Sequence, residues 1–427
     1  MSLYKHVEGD ETLPDEVDIV IIGGGIIGAS TALELAERGL KVALCEKGDI
    51  GAEQSSRNWG WVRRQGRDPA EIPLAIEAKR LWAELPQRVG ADVGYAESGI
   101  IYAASTPHEM GNHEAWFEKI RPFGLESKLL SKAELAARLP AGSKAFLGGL
   151  FTAQDGRAEP KLATAAIAEG ARKHGAHLLN HCAVRTVETT AGQVSAVVTE
   201  RGAIKCSAVL IAAGAWSRLF AGNLGINFKQ LPVRATVARI ETTALLPPFA
   251  VGGTDFSFRA RQDGGYSIAV RDGNIVPLGI DNLLLAPYFL PAFKAGWREL
   301  KLRVGHELVH SLVAQRHWSG SETSPFERTR INSDAPYKTM ANEALSNLIR
   351  AIPAFTGARL TNAWSGLIDT TPTALPVISP LPQPGLYLAS GFSGHGFGIG
   401  PAAGRLAADM LNRKATPDSL APFAWHA

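Results

Sequence analysis

Gly23, Gly25, Gly28 and Glu46 have the types and the spacing of a device that holds a diphosphate and a ribose. The three glycines fall on G-x-G-x-x-G, in which the first permits a tight turn, the second lets the backbone approach a pyrophosphate, and the third lets a helix pack close to a strand. Ile26 and Ile27 between them open that helix, where free N–H groups and the positive end of the macrodipole meet the phosphate. Glu46 follows about 20 residues on, where a carboxylate accepts hydrogen bonds from a ribose 2′-OH and repels a 2′-phosphate. The implied ligand is an adenosine dinucleotide without a 2′-phosphate.

Such a device needs a strand, a helix and a second strand in order, and the sequence supplies them. Asp18 to Ile22 is a short, nearly all-apolar, β-branched run, as expected of a parallel strand buried on both faces. A helix is predicted from Ile26 to Arg38, with Ala32, Leu33 and Ala36 on its inward stripe and Gly39 as its stop. Lys41 to Leu44 is the second strand, with Glu46 and Lys47 just past its end.

A second constellation lies near the C-terminus. A strand from Leu386 to Ala389 runs into GFSGHGFGIGPAAG, Gly391 to Gly404, and a helix is predicted from Pro401 to Leu411. Six glycines in one segment are entropically costly, so the backbone there must pass close to something flat or adopt positive φ. A ring system fits. The following helix would point its N-terminus at that ring, and for an isoalloxazine the dipole and loop amides would stabilise the reduced, negatively charged form.

Composition sets the outer bounds. With 427 residues, 45% hydrophobic and 20% charged, the chain is globular and long enough for two domains, which excludes wholesale disorder and coiled coil. The net charge of +3 is scattered, so no basic stripe argues for nucleic acid; the local knot Arg63, Arg64 and Arg67 is the exception. Cys45, Cys182 and Cys206 lack metal-ligand or C-x-x-C spacing and read as structural thiols, and no metal is expected. No apolar run reaches the ~18 residues of a transmembrane helix and the polar N-terminus is unlike a signal peptide. A cytoplasmic protein is expected, with a peripheral membrane contact left open.

Along the chain, a long helix is expected over 72–89, a helix from Pro160 to His174, and short strands over 183–187, 194–200, 203–206 and 208–212. From Leu231 to about Pro336 alternating segments such as Thr236 to Glu241, Phe256 to Ala260 and Tyr266 to Val270 predict an antiparallel sheet, with helix over 295–313. The fold class is α/β, α+β overall: a Rossmann-like dinucleotide domain over 15–90, 150–222 and 337–427, and an antiparallel-sheet substrate domain over 91–149 and 223–336.

Together these features resemble the FAD-dependent amine and amino-acid oxidoreductases that include D-amino acid oxidase, glycine oxidase and sarcosine oxidase. The resemblance spans nearly the whole chain: the GGGIIG turn and Glu46, Ser55-Ser56-Arg57-Asn58 with Trp59 and Arg63 after it, Val184, Ala213-Gly214-Ala215-Trp216, Gly366 to Pro376, and the Gly391 to Gly404 loop. It implies that Ser55 and Ser56 form a second diphosphate-binding turn, that the Val184 backbone meets the adenine, and that Gly394, His395, Gly396, Phe397, Gly398 and Ile399 wall the flavin. The chain also departs from the family. Ile368-Asp369 stands where many relatives keep a carboxylate-binding arginine after Gly-Leu, Gly398 takes the place of a lysine, and no cysteine follows Cys206. Arg57 and Asn58 stand where other relatives attach flavin through a histidine. FAD is therefore expected to be bound non-covalently.

The chemistry left to the protein is to anchor a substrate. A guanidinium grips a carboxylate with two parallel hydrogen bonds, and the indoles of Trp59 and Trp61 beside Arg63 and Arg64 would exclude water. Arg259, with Arg261, is the next candidate anchor; His395 could polarise the flavin; Asp369 could bind an amine or serve a turn. The reading that follows is oxidation of an amino-acid C–N bond, with a secondary, sarcosine- or iminodiacetate-like amine favoured, hydride transfer to flavin N5 and hydrolysis of the imine. Electrons would pass to dioxygen, or to a quinone or partner flavoprotein. The alternatives are a D-amino acid dehydrogenase and a catalytically inert flavin-binding subunit.

Overall fold

The computed structural model describes residues 2–244, 246–271, 273–296, 300–332 and 334–426. At its centre Ile19–Ile22 lies between Val42–Cys45 and Ala208–Ile211, in parallel register Ile19 to Val42 and Ile19 to Ala208. His177–Leu179 and Leu386–Ser390 extend this sheet in parallel on either side, and Val377–Pro380 closes one edge antiparallel. The apolar run of the central strand is explained by its two faces. Ile19 and Ile21 pack with the helices Ile26–Glu37, Ile72–Val89, Pro160–Lys173 and Gly396–Leu411, whereas Val20 and Ile22 pack with Val184, Val197 and Ile204 of a three-stranded antiparallel sheet. Gly404 lets the last of these helices approach the first, since a Cβ there would lie 2.8 Å from the Thr31 nitrogen.

The second layer is a mainly antiparallel sheet in which the 11-residue strand Leu231–Glu241 pairs along its whole length with the 12-residue strand Arg359–Thr370. Ile100–Ala104, Ser127–Ser131 and Gly148–Thr152 from the first half of the chain complete its far side. Residues 337–370, expected with the dinucleotide-binding unit, therefore extend the large sheet instead, and Lys338–Ala351 packs Ala341, Ala344 and Leu348 against Phe258 and Ile268. Long-range strand pairing decides this, and no local pattern encodes it.

Two helix expectations change. Of the helix expected over 295–313, the described part is the end of the helix Ala286–Gly296, the strand Leu300–Arg303 and the helix His306–Val313, with Gly305 in an extended conformation before the last; residues 297–299 lie outside the described residues. The C-terminal helix begins at Gly396 rather than Pro401, so Pro401 sits inside it. Among the described residues no helix is long and apolar enough to cross a membrane.

Candidate active site

Three parallel strands end at the same edge of the central sheet and deliver Gly23, Glu46 and Ala213 to one groove, as open α/β sheets do with their ligands. Its empty volume, open side included, is about 1290 Å³. Gly23 has φ +110° and faces the Ala212 carbonyl, 2.5 Å from where a Cβ would be, so the turn admits no side chain. Gly25 caps the helix without a side-chain hydrogen bond, which leaves first-turn amides open to an anion; Ser55 Oγ accepts from the Ile26 amide at 2.9 Å. Gly28 lies behind, where a Cβ would run into the Gly23 carbonyl.

Glu46 is tied at both ends: Oε2 accepts from the Gly24 amide at 2.7 Å and Oε1 from the Gly48 amide at 2.8 Å. Burial raises its carboxyl above the ordinary range, against the pull of Lys47 and these amides. The groove thus holds a carboxylate fixed in place with lone pairs left for ribose hydroxyls. Glu46→Ala is expected to weaken FAD binding by roughly 10- to 150-fold, the equivalent of ~1.5–3 kcal/mol for a charge-assisted hydrogen bond. Flavin occupancy after prolonged dialysis measures it, and full retention by the variant would remove Glu46 from the ribose site.

Beyond Glu46, Lys47, Arg57, Asn58, Val184, Gly214 and Trp216 border the groove, and Gly394, Gly396 and Phe397 close its far end. Lys47 Nζ lies 4.5 Å over the Trp216 ring, whose Nε1 donates to Glu53 at 2.8 Å. Asn58 Nδ2 donates to the Ser55 carbonyl at 2.8 Å and holds the second turn, and the buried Arg57 donates to the Ala52 and Ser365 carbonyls. Asp369 serves the loop rather than an amine. Its Oδ2 accepts from the amides of Gly391 at 2.8 Å and Phe392 at 3.2 Å. Other expected residues do not border the groove. Ser56 donates to the Glu53 carbonyl, Ile399 is core, Gly366 packs on Gln54 and Arg57, and a Cβ at Gly398 would meet the Trp61 carbonyl at 2.7 Å. The last contact explains why glycine holds position 398: the Trp61–Val62 strand lies directly against the loop.

These residues fit a flavin dinucleotide: an uncapped helix start, a fixed carboxylate for ribose, and a close-passing glycine wall whose 16-residue helix starts at the wall itself.

The arginines separate by partner. Arg64 is buried against Asp155, Nε to Oδ1 3.1 Å, and Asp155 also accepts from the amides of Arg64 and Gln65. Arg259 is 1% exposed and paired to both oxygens of Glu159 at 2.7 and 3.0 Å, with its Nε donating to the Trp59 carbonyl. Arg261 pairs with Asp263. Arg64, whose Nη2 also donates to Gln154 at 3.2 Å, and Arg259 therefore hold the chain together, and Arg259 has no guanidinium edge left for a substrate carboxylate. Arg63 donates to the Gln65 carbonyl and lies 5.8 Å over the Tyr102 ring, with no carboxylate at ion-pair distance among the described residues. Arg271, which sequence reasoning missed, lies over the same ring at 4.5 Å and donates to the Gly253 carbonyl at 3.0 Å. Nothing local distinguishes Arg271 from any other strand-end arginine.

His395 is not part of the groove lining; its Nδ1 lies 3.3 Å from Oε2 of the wholly buried Glu71. Arg67, 3% exposed, adjoins this pair, and burial, then Arg63, push its guanidinium down to about 9. Glu71 also escaped the sequence reading, because it precedes an ordinary amphipathic helix and its partner is hundreds of residues away.

Residues 18–410 match the DAO family, described as FAD dependent oxidoreductase. Glycine oxidase of Geobacillus kaustophilus is 27% identical over 95% of this chain and 96% of its own length, and sarcosine oxidase subunit beta of Rhizobium meliloti is 25% identical over 95% and 87%. Among solved structures, L-amino acid deaminase from Proteus myxofaciens in complex with anthranilate superposes with a TM-score of 0.94 at 31% identity, covering 99% of this chain and 96% of that one. With the dinucleotide turn, the glycine wall and the arginine loop all inside the matched region, the chain belongs to the DAO family of FAD-dependent oxidoreductases.

Proposed function

We propose that the protein oxidises the C–N bond of an amino acid that it holds through its carboxylate. The observation that carries this reading is the pair Arg63 and Arg271, two guanidiniums over one aromatic ring with no carboxylate at ion-pair distance among the described residues, beside the loop that walls the flavin site. Bound FAD supplies a hydride acceptor at N5. The chain's own part is the rest: the Gly23–Gly28 turn and Glu46 would hold the dinucleotide, and the helix starting at Gly396 would turn the positive end of its dipole toward a bound ring. The arginines fix the substrate and Trp59, Trp61 and Tyr102 shield the pair from water, which supplies orientation and strengthens the charge contact. The imine product is hydrolysed to an oxo acid and an amine.

Two guanidiniums support a secondary, N-carboxyalkyl substrate of the iminodiacetate kind, and the glycine oxidase and sarcosine oxidase relatives support small N-substituted glycines. A primary L-amino acid is the second reading, favoured by the likeness to L-amino acid deaminase over nearly the whole chain. Anaerobic mixing with sarcosine, iminodiacetate and L- and D-amino acids separates them by which one bleaches the flavin. A flavin that none of them reduces would sink the enzyme reading in favour of an inert subunit. Readmission of air then tests the acceptor, since fast recolouring means dioxygen and slow recolouring a quinone or partner flavoprotein. The flavin is expected to pass entirely into the supernatant on acid denaturation, because Gly398, Arg57 and Asn58 stand at the attachment-related positions and no cysteine follows Cys206. Yellow colour in the precipitate would show a covalent bond.

A further inference from the structure

The strands Val42–Cys45 and Ala208–Ile211 lie on either side of Ile19–Ile22, so the loops that leave them start roughly 10 Å apart across the groove. Side chains close that gap. Lys47, from the first loop, places Nζ 4.5 Å over the ring of Trp216, from the second. Glu53 ties both, accepting from Lys47 Nζ at 3.1 Å and from Trp216 Nε1 at 2.8 Å. This bridge spans the groove next to Glu46, and all three of its residues border the groove.

A segment from far along the chain lies on the bridge. Lys47 Nζ also donates to the carbonyls of Thr329 at 2.9 Å and Arg330 at 2.7 Å, the Arg330 guanidinium donates to the Lys47 carbonyl at 2.9 Å, and the Asn332 amide donates to Glu53 at 2.8 Å. Gly48 makes room for it. A Cβ there would lie 2.6 Å from the Arg330 carbonyl oxygen, while the Gly48 amide holds Glu46. The segment is anchored on its outer side as well: Arg185 pairs with both oxygens of Glu327 at 2.9 and 2.8 Å, Arg330 pairs with both of Glu200, and Phe326 is buried edge-on against Trp216 and Trp318. Phe326 and Asn332 border the groove, whereas Arg330 does not.

We propose that residues 325–332 are a strap that locks the bridge of Lys47, Glu53 and Trp216 over the adenosine half of FAD, and that its release is the step through which the cofactor enters and leaves. The inference needs the FAD of the family and not the substrate reading above. A dinucleotide running from Glu46 to the glycine wall would have to pass under the bridge, so it has no way out on that side until Lys47 parts from Trp216. Arg330 acts from outside the groove and therefore sets the barrier rather than the affinity. Weakening the strap speeds entry and exit alike, which leaves their ratio, the dissociation constant, as it was.

The test is how fast the holoenzyme gives up flavin. Arg330→Ala removes the hydrogen bond to the Lys47 carbonyl and the pair with Glu200 without touching the groove lining. Ultrafiltration of diluted holoenzyme, with flavin read in the filtrate over time, is expected to show FAD leaving the variant at least roughly tenfold faster than the wild type, the effect of one lost charge-assisted hydrogen bond. Equilibrium dialysis of the holoenzyme against a series of FAD concentrations should give a dissociation constant within about threefold of the wild type's. An unchanged release rate overturns the proposal. So does a release rate that rises only in step with the dissociation constant, because that marks a lost contact and not a lowered barrier. Should Arg330→Ala not fold, Arg330→Lys, which keeps a cation for Glu200 but loses the fork that reaches Lys47 as well, is put to the same two measurements and judged by the same outcomes.

Discussion

Arg63→Ala is expected to lower kcat/KM for the amino-acid substrate by roughly 30- to several-thousand-fold, the range for removing one partner of a desolvated, charge-assisted pair at ~2–5 kcal/mol. Arg64 is paired with Asp155 and Arg259 with Glu159, whereas Arg63 donates to the Gln65 carbonyl and lies over the Tyr102 ring, with no carboxylate at ion-pair distance among the described residues. Its backbone also lies against the glycine wall, since the Arg63 nitrogen is 3.7 Å from a Cβ built on Gly398. An amide or decarboxylated analogue of the same amine should lose far less, because it lacks the group that Arg63 grips. The comparison of the two substrates in rapid-mixing kinetics makes the point. Equal losses for both would move the anchor away from Arg63, and a large loss in Arg271→Ala beside a near-neutral Arg63→Ala would place it on Arg271.

The opposite behaviour is expected of Arg259→Ala. It should cost up to about 3–5 kcal/mol of stability by taking from a buried carboxylate the partner of both its oxygens, leaving it Arg157 at 3.3 Å, while kcat/KM per flavin in the protein that stays folded is unchanged. Glu159 is buried and holds its charge because Arg259 pairs with both its oxygens and the Gln262 amide donates to it at 2.8 Å. Burial opposes ionisation there, but the guanidinium holds the carboxyl below its ordinary range. A group depressed in the folded state stabilises fully above its unfolded pKa, about 4.3 for Glu, and loses that contribution as pH falls through the folded value. The wild type should therefore lose stability below about pH 4 partly through this pair, and Arg259→Ala should lack that part of the acid dependence. Thermal unfolding across pH measures both, and a variant as stable as the wild type at pH 7 would show that the pair is dispensable.

The dinucleotide device was legible because every part of it is local. Gly23, Gly25 and Gly28 must sit on one turn, and the carboxylate that follows must end the next strand, so spacing alone carries the information. The same holds for the helix Pro160–Lys173 and for the long helix Ile72–Val89, whose apolar periodicity and caps are written within their own residues. The glycine wall announced a close approach without naming the neighbour. The Trp61–Val62 strand that lies against Gly398 is hundreds of residues earlier in the chain.

What the sequence by itself determined is that this chain binds a dinucleotide through a βαβ turn, passes a glycine-rich segment over something flat, and carries arginines near that place. Only the tertiary structure decided what partner each arginine meets. Arg63, Arg64 and Arg67 share one loop and one local character, yet Asp155 claims Arg64, Arg67 is buried beside Glu71, and Arg63 is left over the Tyr102 ring. The physical reason is that a charge's role is set by the partner that neutralises it and by the burial around it. Both come from segments that chain folding brings together, and neither leaves a trace in the spacing of neighbouring residues.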